Sequence, residues 1–261
     1  MLRLDRQTAL AALGAAALAA CAVPARAQAP APPPAPGPDR VRLVLNAAFW
    51  PTRTSFTDTR TFTEYAESTT LRASYEADAA FGPDGALQVS LFRGLGVLVG
   101  YSRVRRDVTG SVEVSRPHPL YLNRHRSASA AISGYDLTEG ALHLDIAYAR
   151  AAGPLDWALF GGVTFFQVEA DLLQQPTYDE AYPYDELAIT ATPPTKVKES
   201  PTGFNVGGRL DYRFGSSRRF GAGVQVTYSS ATVTLKTTPE AAGASLDVGG
   251  LSVGAGVRVY F

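Results

Sequence analysis

The last fifteen residues of the chain alternate, almost without interruption, between apolar side chains and polar or small ones. Residues 247–261 read DVGGLSVGAGVRVYF, and the last of them is aromatic. The apolar row consists of Leu251, Val253, Ala255, Val257, Val259 and Phe261, and the opposite row of Ser252, Gly254, Gly256, Arg258 and Tyr260. Because successive side chains of a strand point to opposite faces, the segment predicts a strand with one apolar face.

Similar alternating segments of about ten residues recur along the chain between turn-forming residues, which is the sequence pattern of a transmembrane β-barrel. In residues 204–214 the apolar row consists of Phe204, Val206, Leu210, Tyr212 and Phe214, and the other row of Asn205, Gly207, Arg209, Asp211 and Arg213. An arginine that faces lipid near the centre of a bilayer costs about 2–4 kcal/mol. The charged row is therefore expected to face the barrel interior.

The same argument orients four further segments. Their outward rows are predicted to include Leu43 and Leu45, Leu87 and Val89, Leu142 and Leu144, and Val224 and Val226; their inward rows are predicted to include Arg42, Asn46, Gln88, His143, Asp145, Gln225 and Thr227. Residues 96–114 and 157–172 show no decisive row. In the second of these, Gly161-Gly162 and Phe165-Phe166 fit a β-bulge that shifts the alternation.

Connections between the segments alternate between short and long. The short ones lie near residues 92–95, 151–155 and 215–219, and the long ones near residues 51–84, 116–134, 174–201 and 237–246. Short periplasmic turns and long extracellular loops are typical of outer-membrane barrels. The sequence therefore predicts an all-β fold, a single closed antiparallel up-and-down transmembrane β-barrel of eight strands, with ten strands as the alternative. Residues 55–80 alternate in part and are expected to extend the first two strands above the membrane.

The amino-terminal segment indicates export. Residues 1–27 have a basic start, an apolar middle and a small-x-small cleavage site, which is the organisation of a secretory signal peptide. A lipobox that ends at Cys21 offers lipidation as the alternative route. Residues 28–40 are proline-rich and predict an extended periplasmic spacer. The outer-membrane β-barrel is then expected to occupy residues 41–261.

Composition excludes several classes of function. The whole chain has 24 basic and 24 acidic residues, and removal of residues 1–27 leaves 21 and 23. Such a balance lacks the concentrated basic face that nucleic-acid binding needs, so no nucleic acid is expected as a partner. Cys21 is the single cysteine, which excludes a disulfide framework. The histidines His118, His125 and His143 lack the spacing of metal ligands, and no metal or cofactor is expected.

The barrel interior is predicted to contain a set of charged residues. They are Arg42, His143, Asp145, Arg209, Asp211, Arg213 and Arg258. An eight-stranded barrel is only wide enough for side chains to fill it, and buried charges must be paired. The favoured interpretation is a polar network that blocks flow, and the alternative is a narrow polar conduit. His143 and Asp145 share one row, but no serine or cysteine can be placed beside them, so no catalytic residue is assigned.

Two long connections have contrasting compositions. Residues 116–126 read RPHPLYLNRHR and are basic and aromatic, whereas residues 174–201 hold several acidic and tyrosine side chains. One interpretation is that the two connections pack on each other and close the barrel. The other is a binding face, because loops on a rigid scaffold often carry recognition. The candidate surface residues are His118, Tyr121, Arg124, Arg126, Tyr178, Tyr182 and Tyr184.

Together, residues 41–261 resemble the small outer-membrane β-barrel proteins of the OmpA/OmpX-like and OmpW-like kind. The resemblance rests on the terminal strand, and the stretches PHPLYLNR and FGGVTFF are similar to segments of bacterial members of this group. It implies an integral location in the outer membrane of a Gram-negative envelope, in contact with membrane lipid and lipopolysaccharide. It also implies that the barrel-assembly machinery reads Val257, Val259 and Phe261 as an assembly signal.

Members of this group include anchors, adhesion factors, narrow channels and a few lipid-modifying enzymes, so fold does not decide the activity. The function expected here is that of a non-enzymatic barrel with a structural or surface-interaction role. The first alternative is a narrow, porin-like channel for small solutes. Two further alternatives are a lipid-modifying barrel enzyme and a soluble lipocalin-like binding module. The sequence does not identify a solute or surface ligand.

Overall fold

A computed structural model describes residues 40–215, 218–236 and 243–261. The predictions made for residues 1–39, namely the signal peptide, lipidation at Cys21 and nearly all of the spacer, lie outside these residues. No helix in the described part of the chain is long and apolar enough to cross a membrane.

The described residues form thirteen strands. They are β1 (Val41–Trp50), β2 (Thr54–Glu64), β3 (Glu67–Ala77), β4 (Ala80–Phe92), β5 (Leu95–Pro117), β6 (His125–Ala152), β7 (Leu155–Leu173), β8 (Thr177–Asp179), β9 (Ala188–Ala191), β10 (Pro194–Glu199), β11 (Thr202–Phe214), β12 (Phe220–Leu235) and β13 (Ala244–Tyr260).

Eight of these strands close into a ring. Each pairs antiparallel with the next in the order β1, β4, β5, β6, β7, β11, β12 and β13. The last strand, β13, pairs with β1 from Arg42 opposite Tyr260 to Phe49 opposite Val253, and so completes the ring. The eight-stranded up-and-down barrel is therefore confirmed. Its short connections lie at the three predicted places.

The barrel continues beyond this ring at the end that carries the long connections. There, β3 pairs with the distal part of β5, β2 pairs with β3, and β10 pairs with the distal part of β7. We call β2, β3 and β10, together with the distal parts of β5, β6, β7, β12 and β13, the head. Residues 55–80 thus extend the first two barrel strands, as expected. The prediction that residues 116–134 form a connection was wrong in extent, because β6 begins at His125.

The outer surface of the ring is an apolar band with aromatic residues at both edges. The distal edge, next to the head, holds Phe49, Phe81, Tyr101, Phe165, Phe204 and Tyr228. The proximal edge, next to the short turns, holds Phe92, Tyr148, Trp157, Tyr212, Phe214 and Phe220. On β11 the band runs from Phe204 to Phe214, which is roughly 33 Å of strand and about 25 Å of height at the usual tilt. This matches the apolar band of an outer-membrane barrel and does not fit a soluble lipocalin-like module.

In the head the polarity of the two sheet faces is reversed: the outward face is polar and the inward face is apolar. On β12 the outward row changes from Val226 to Thr234, and the inward row from Gln225 to Val233 and Leu235. The strand has no irregularity between these residues, so the same face is apolar against lipid and polar above it. Each strand therefore meets lipid outside in the ring and water outside in the head.

This exchange explains why β5 gave no decisive row. Val97, Val99 and Tyr101 face outward in the lipid band, and Arg103 and Arg105 follow on the same face above it. The bulge predicted in residues 157–172 was wrong. β7 pairs with β6 and β11 without a register shift, and Gly162 lies so close to the backbone of β6 that a Cβ would be 2.0 Å from the Leu144 carbonyl oxygen.

The inside of the head is an apolar core of the kind found in soluble proteins. Its fully buried members include Leu71, Tyr75, Ile132, Leu137, Leu172, Leu235 and Leu246. The Tyr75 hydroxyl accepts a hydrogen bond from the Leu173 backbone N–H at 2.9 Å. Burial nevertheless raises the pKa of Tyr75 to about 12. The head is thus closed by packed side chains.

Candidate functional site: the barrel interior and the tip of the head

The proximal half of the lumen contains a network of arginines and aspartates. Asp211 is fully buried and contacts three arginines: Arg258 at 2.7 Å, Arg209 at 3.0 Å and Arg42 at 3.3 Å. Asp156 contacts Arg213 at 2.6 Å and Arg42 at 2.8 Å. We call these residues the ion-pair network. Four guanidinium groups on two carboxylates leave a surplus of positive charge.

Neighbouring polar groups extend this network across the lumen. Arg258 donates a hydrogen bond to Asn46 Oδ1 at 2.7 Å, and Asn46 Nδ2 donates to Asp84 Oδ1 at 2.8 Å. Arg209 donates to the Gln88 side-chain oxygen. Asp84 therefore offsets part of the surplus positive charge through Asn46. The whole arrangement spans strands on opposite sides of the barrel and fills its proximal half.

Aromatic rings fill the remaining space in this half. The buried Tyr260 ring lies 3.9 Å from the Arg213 guanidinium carbon and 4.8 Å from that of Arg42, both cation–π distances. The inward-facing Gly207 does not leave a gap, because the Phe160 ring occupies the position that a Cβ would take. The space left by a small lumen residue such as Gly207 is thus filled by a neighbouring side chain.

His143 lies at mid-height in the lumen among neutral partners. Its Nδ1 is 2.9 Å from Thr164 Oγ1 and 2.9 Å from Asn205 Nδ2, and its Nε2 is 3.4 Å from Ser102 Oγ. Asn205 Nδ2 also donates to Asp145 Oδ2 at 3.2 Å. A serine thus lies beside His143, which the sequence could not place. The strand register decides this, since Ser102 pairs with Ala141 on the adjacent β6.

A small cavity of about 20 Å³ lies beside these residues. All eight ring strands line it, among them Trp50, Ser102, His143, Asp145, Phe160, Asn205, Gln225 and Ser252. A cavity needs roughly 10–15 Å³ to hold one water molecule. The space therefore admits a water-sized occupant, and the Ser102–His143 contact is closed off from the lipid surface.

A second ion pair separates the polar lumen from the apolar head. Arg106 lies 3.3 Å from Glu139, and both side chains are buried. Arg106 Nη1 donates to the Thr52 carbonyl at 2.6 Å, and Glu139 accepts a hydrogen bond from the Gly249 N–H at 2.9 Å. These bonds tie β5, β6 and β13 together where the two faces exchange character.

At the top of the head the two contrasting connections contact each other. Arg116 pairs with Glu64 at 2.6 Å and also contacts Glu180, which Arg126 reaches at 2.8 Å. The Arg116 guanidinium also lies 4.9 Å from the Tyr178 ring centre. Burial raises the pKa of the Tyr178 phenol above its usual range. These basic side chains are therefore held by acidic partners from other connections.

Apolar side chains project beyond these ion pairs. Leu120, Tyr121 and Leu122 are 55%, 56% and 76% exposed, and Tyr182 is 81% exposed. Arg124 bonds Asp185 at 2.8 Å and so joins the two loops that carry them. We call Leu120, Tyr121, Leu122 and Tyr182 the tip. A partner would meet apolar and aromatic groups there, since the nearby arginines already pair with carboxylates.

The structure therefore separates the candidate residues into three places. Arg42, Arg209, Asp211, Arg213 and Arg258 meet in the ion-pair network, and His143 and Asp145 lie beside the cavity above it. His118, Arg124, Arg126 and Tyr178 hold the loops together, whereas Tyr121, Tyr182 and Tyr184 lie around the tip. The proposed assembly signal, Val257, Val259 and Phe261, lies on the outward face at the β13–β1 closure and stays a prediction.

Sequence reasoning missed four buried charges: Asp58, Asp156, Arg106 and Glu139. Asp156 lies at the start of β7, beside a predicted turn, where alternation alone gives no direction. Arg106 lies on the inward face of β5, whose faces were left open. The available signal was the exchange of apolar and polar rows at Tyr101 and Arg103. No three acidic, histidine or cysteine side chains among the described residues are grouped as metal ligands would be.

Comparison with known proteins gives structural similarity alone. No protein-family model and no curated protein matches the chain. Among solved structures, the outer membrane protein OprG from Pseudomonas aeruginosa matches with a TM-score of 0.50 at 11% identity, over 86% of this chain and 96% of OprG.

Two further matches have lower scores. Neisserial surface protein A has a TM-score of 0.41 at 12% identity, over 85% of this chain and 97% of its own. Ail, the attachment invasion locus protein of Yersinia pestis, has a TM-score of 0.38 at 10% identity, over 84% and 99%.

The OprG match agrees with the closed eight-stranded ring. The predicted resemblance to small OmpA/OmpX-like barrels is confirmed at the level of fold. The chain has the fold of an eight-stranded outer-membrane β-barrel, with a buried polar network, short turns at one end and a large head at the other.

Proposed function

We propose that this protein is a non-conducting, non-enzymatic outer-membrane barrel that holds a rigid head above the membrane for interaction at the cell surface. The main support for the proposal is that side chains fill the interior both in the lumen and in the head. The proximal lumen is occupied by ion pairs, and the head by an apolar core. A solute would have to cross both.

The apolar core argues against the channel alternative. A conduit for small polar solutes needs a continuous wet path, and packed leucine, isoleucine and valine side chains provide no polar partners for water. The ion-pair network adds a second barrier, because separating buried charges is costly. Conductance steps in a planar bilayer would support the channel instead.

The geometry around His143 argues against a lipid-modifying enzyme. Lipid chemistry needs reactive groups that a lipid headgroup or acyl chain can reach. The Ser102–His143 contact is inside the barrel, beside a cavity of about 20 Å³. A headgroup or acyl chain is far larger than such a space. The proposal therefore assigns no catalytic residue.

The tip is the surface proposed to make contact. Exposed aromatic and aliphatic residues in loops on a rigid scaffold suit recognition, because their ordering costs little entropy. The Arg124–Asp185 and Arg126–Glu180 pairs keep these loops in place. A partner with an apolar surface is favoured, since the arginines nearest the tip are already paired with carboxylates.

The test compares cells that display the wild type with cells that display Leu120→Ser/Leu122→Ser/Tyr182→Ser. We expect the variant to lose most of its retention on octyl-coated beads and most of its cell-to-cell aggregation. Ser111→Ala, on the exposed flank of β5, is the matched control and should behave as wild type. Equal adhesion of all three strains at equal surface expression would contradict the interaction role and leave the closed barrel standing.

A further inference from the structure

Several side-chain oxygens at the lumen cavity lack a hydrogen-bond donor. Three oxygens there have no hydrogen-bonding partner among the described residues: Asp145 Oδ1, Asn205 Oδ1 and Gln225 Oε1. Their side chains are more than nine-tenths buried, and all three residues line the cavity. Buried acceptors of this kind normally have a partner.

The side-chain amide donors beside these oxygens are already engaged. Asn205 Nδ2 donates to Asp145 Oδ2 at 3.2 Å, and Gln225 Nε2 donates to Thr227 Oγ1 at 3.3 Å. The Ser252 hydroxyl donates to the Thr227 carbonyl at 3.3 Å. An occupant of the cavity would satisfy the free oxygens.

Asp145 lies beside a neutral side chain, that of Asn205. Asp156, Asp211 and Asp84 offset three of the four arginines of the proximal lumen, and Glu139 pairs with Arg106 above the cavity. Asp145 forms no ion pair in the described part of the chain. Burial of an unpaired carboxylate is costly, so a positive charge beside it would stabilise the fold.

We propose that this cavity binds one small monovalent cation, such as sodium, through Asp145 Oδ1, Asn205 Oδ1 and Gln225 Oε1. One carboxylate and two amide oxygens form a hard oxygen ligand set with a single negative charge. Calcium usually takes six to eight oxygen ligands, commonly with several carboxylates, which this cavity does not supply. A volume of about 20 Å³ suits one ion of roughly the size of water.

The experiment measures the half-life of the folded protein in detergent at a fixed elevated temperature, from the fast-migrating band on unheated gels. Sodium chloride is compared with choline chloride at equal ionic strength, because choline is too large for the cavity. A ligand that binds only the folded state, and must leave before the protein unfolds, slows unfolding by a factor of one plus the ratio of the free ligand concentration to Kd. Above the Kd, each tenfold rise in sodium should lengthen the wild-type half-life by about tenfold.

Two variants assign the effect to this site. Asp145→Asn removes the charge, so it should lose the sodium response and outlast the wild type in choline. Gln225→Met removes one ligand oxygen at similar size and should shift the response to higher sodium. Glu169→Gln, whose carboxylate is on the outside of the head, is the matched control and should keep the full response.

Equal wild-type half-lives in sodium and choline would overturn the proposal, as would a sodium response that survives in Asp145→Asn. If neither lumen variant folds, crystals of the wild type grown with rubidium test whether a cation binds at this site. An anomalous peak within coordination distance of Asp145 Oδ1 supports the site. Its absence at full rubidium substitution shows that the cavity holds only water.

Discussion

At the scale of single residues, Asp211 shows how much the lumen depends on a few acidic groups. It is fully buried and holds three arginines from three strands. Replacement of Asp211 by an uncharged residue leaves buried guanidinium groups without a counter-ion. This costs far more free energy of unfolding than the loss of one hydrogen bond. Surface pairs such as Arg105–Asp136 are screened by water and contribute little.

We therefore predict that Asp211→Ala destabilises the barrel by about 3–5 kcal/mol. Asp136→Ala, which removes one partner of an exposed pair, should unfold as the wild type does. Urea unfolding in detergent, followed by tryptophan fluorescence, measures both. Similar midpoints for the two variants would show that the ion-pair network does not carry stability.

The Tyr75 phenol predicts a pH dependence in the head. Its pKa is raised to about 12 in the folded protein by burial, whereas the unfolded chain ionises near 10. Between these values the folded state binds more protons than the unfolded state, so stability falls as pH rises from 10 to 12. The full effect is on the order of 2–3 kcal/mol.

Replacement of Tyr75 by Phe should remove this component of the alkaline loss, with a small uniform destabilisation from the lost hydrogen bond to Leu173. The measurement is proteolysis of the head against pH between 9 and 12. Tyr182→Phe, at the exposed tip, should follow the wild-type curve. A Tyr75→Phe curve parallel to wild type would refute the assignment.

At the scale of secondary-structure elements, the exchange of faces along one strand decides where the membrane ends. Val224 and Thr234 lie on the same outward face of β12, the first in the lipid band and the second in the head. Lipid exposure makes a charge costly at the first position, and water makes it tolerable at the second.

Val224→Arg should therefore cost about 2–4 kcal/mol and reduce the yield of the heat-modifiable form. Thr234→Arg, with the same new side chain on the same strand face, should assemble normally. The amounts of each in isolated outer membranes give the comparison. Equal loss at both positions would place Thr234 within the lipid band.

The β2–β3 turn predicts a stabilising change. Tyr65 and Ala66 both have positive φ, at 50° and 64°, in a two-residue hairpin turn. Such turns favour Asn-Gly, because other residues are strained in this region. Tyr65→Asn/Ala66→Gly should stabilise the hairpin by about 1 kcal/mol. Slower amide exchange in β2 and β3 is the expected result, and faster exchange would contradict it.

The strands that the sequence oriented correctly share one property: their quoted segments lie wholly inside the lipid band. In residues 204–214 the charged row can face only the lumen, and the structure places it there. β5 resisted the same reasoning because Tyr101 and Arg103 face outward into different solvents. The contacts of Ser102 and Asp156 could not be predicted, because they depend on cross-strand register and not on alternation.

At the scale of the whole molecule, the protein consists of a closed ring and a head with opposite solvents, built on shared strands. The ring has lipid outside and charges inside, and the head has water outside and an apolar core inside. β5 and β6 run through both, with 23 and 28 residues. This continuity couples the stability of the head to that of the membrane ring.

The closure of the interior along its height is the central claim, and single-channel recording in a planar bilayer tests it most directly. The folded wild type should insert and give no conductance steps, while a water-filled porin under the same conditions gives steps at each insertion. Insertion is verified separately by protease protection of the reconstituted protein. Reproducible steps from the wild type would show a continuous water path and contradict the closed interior.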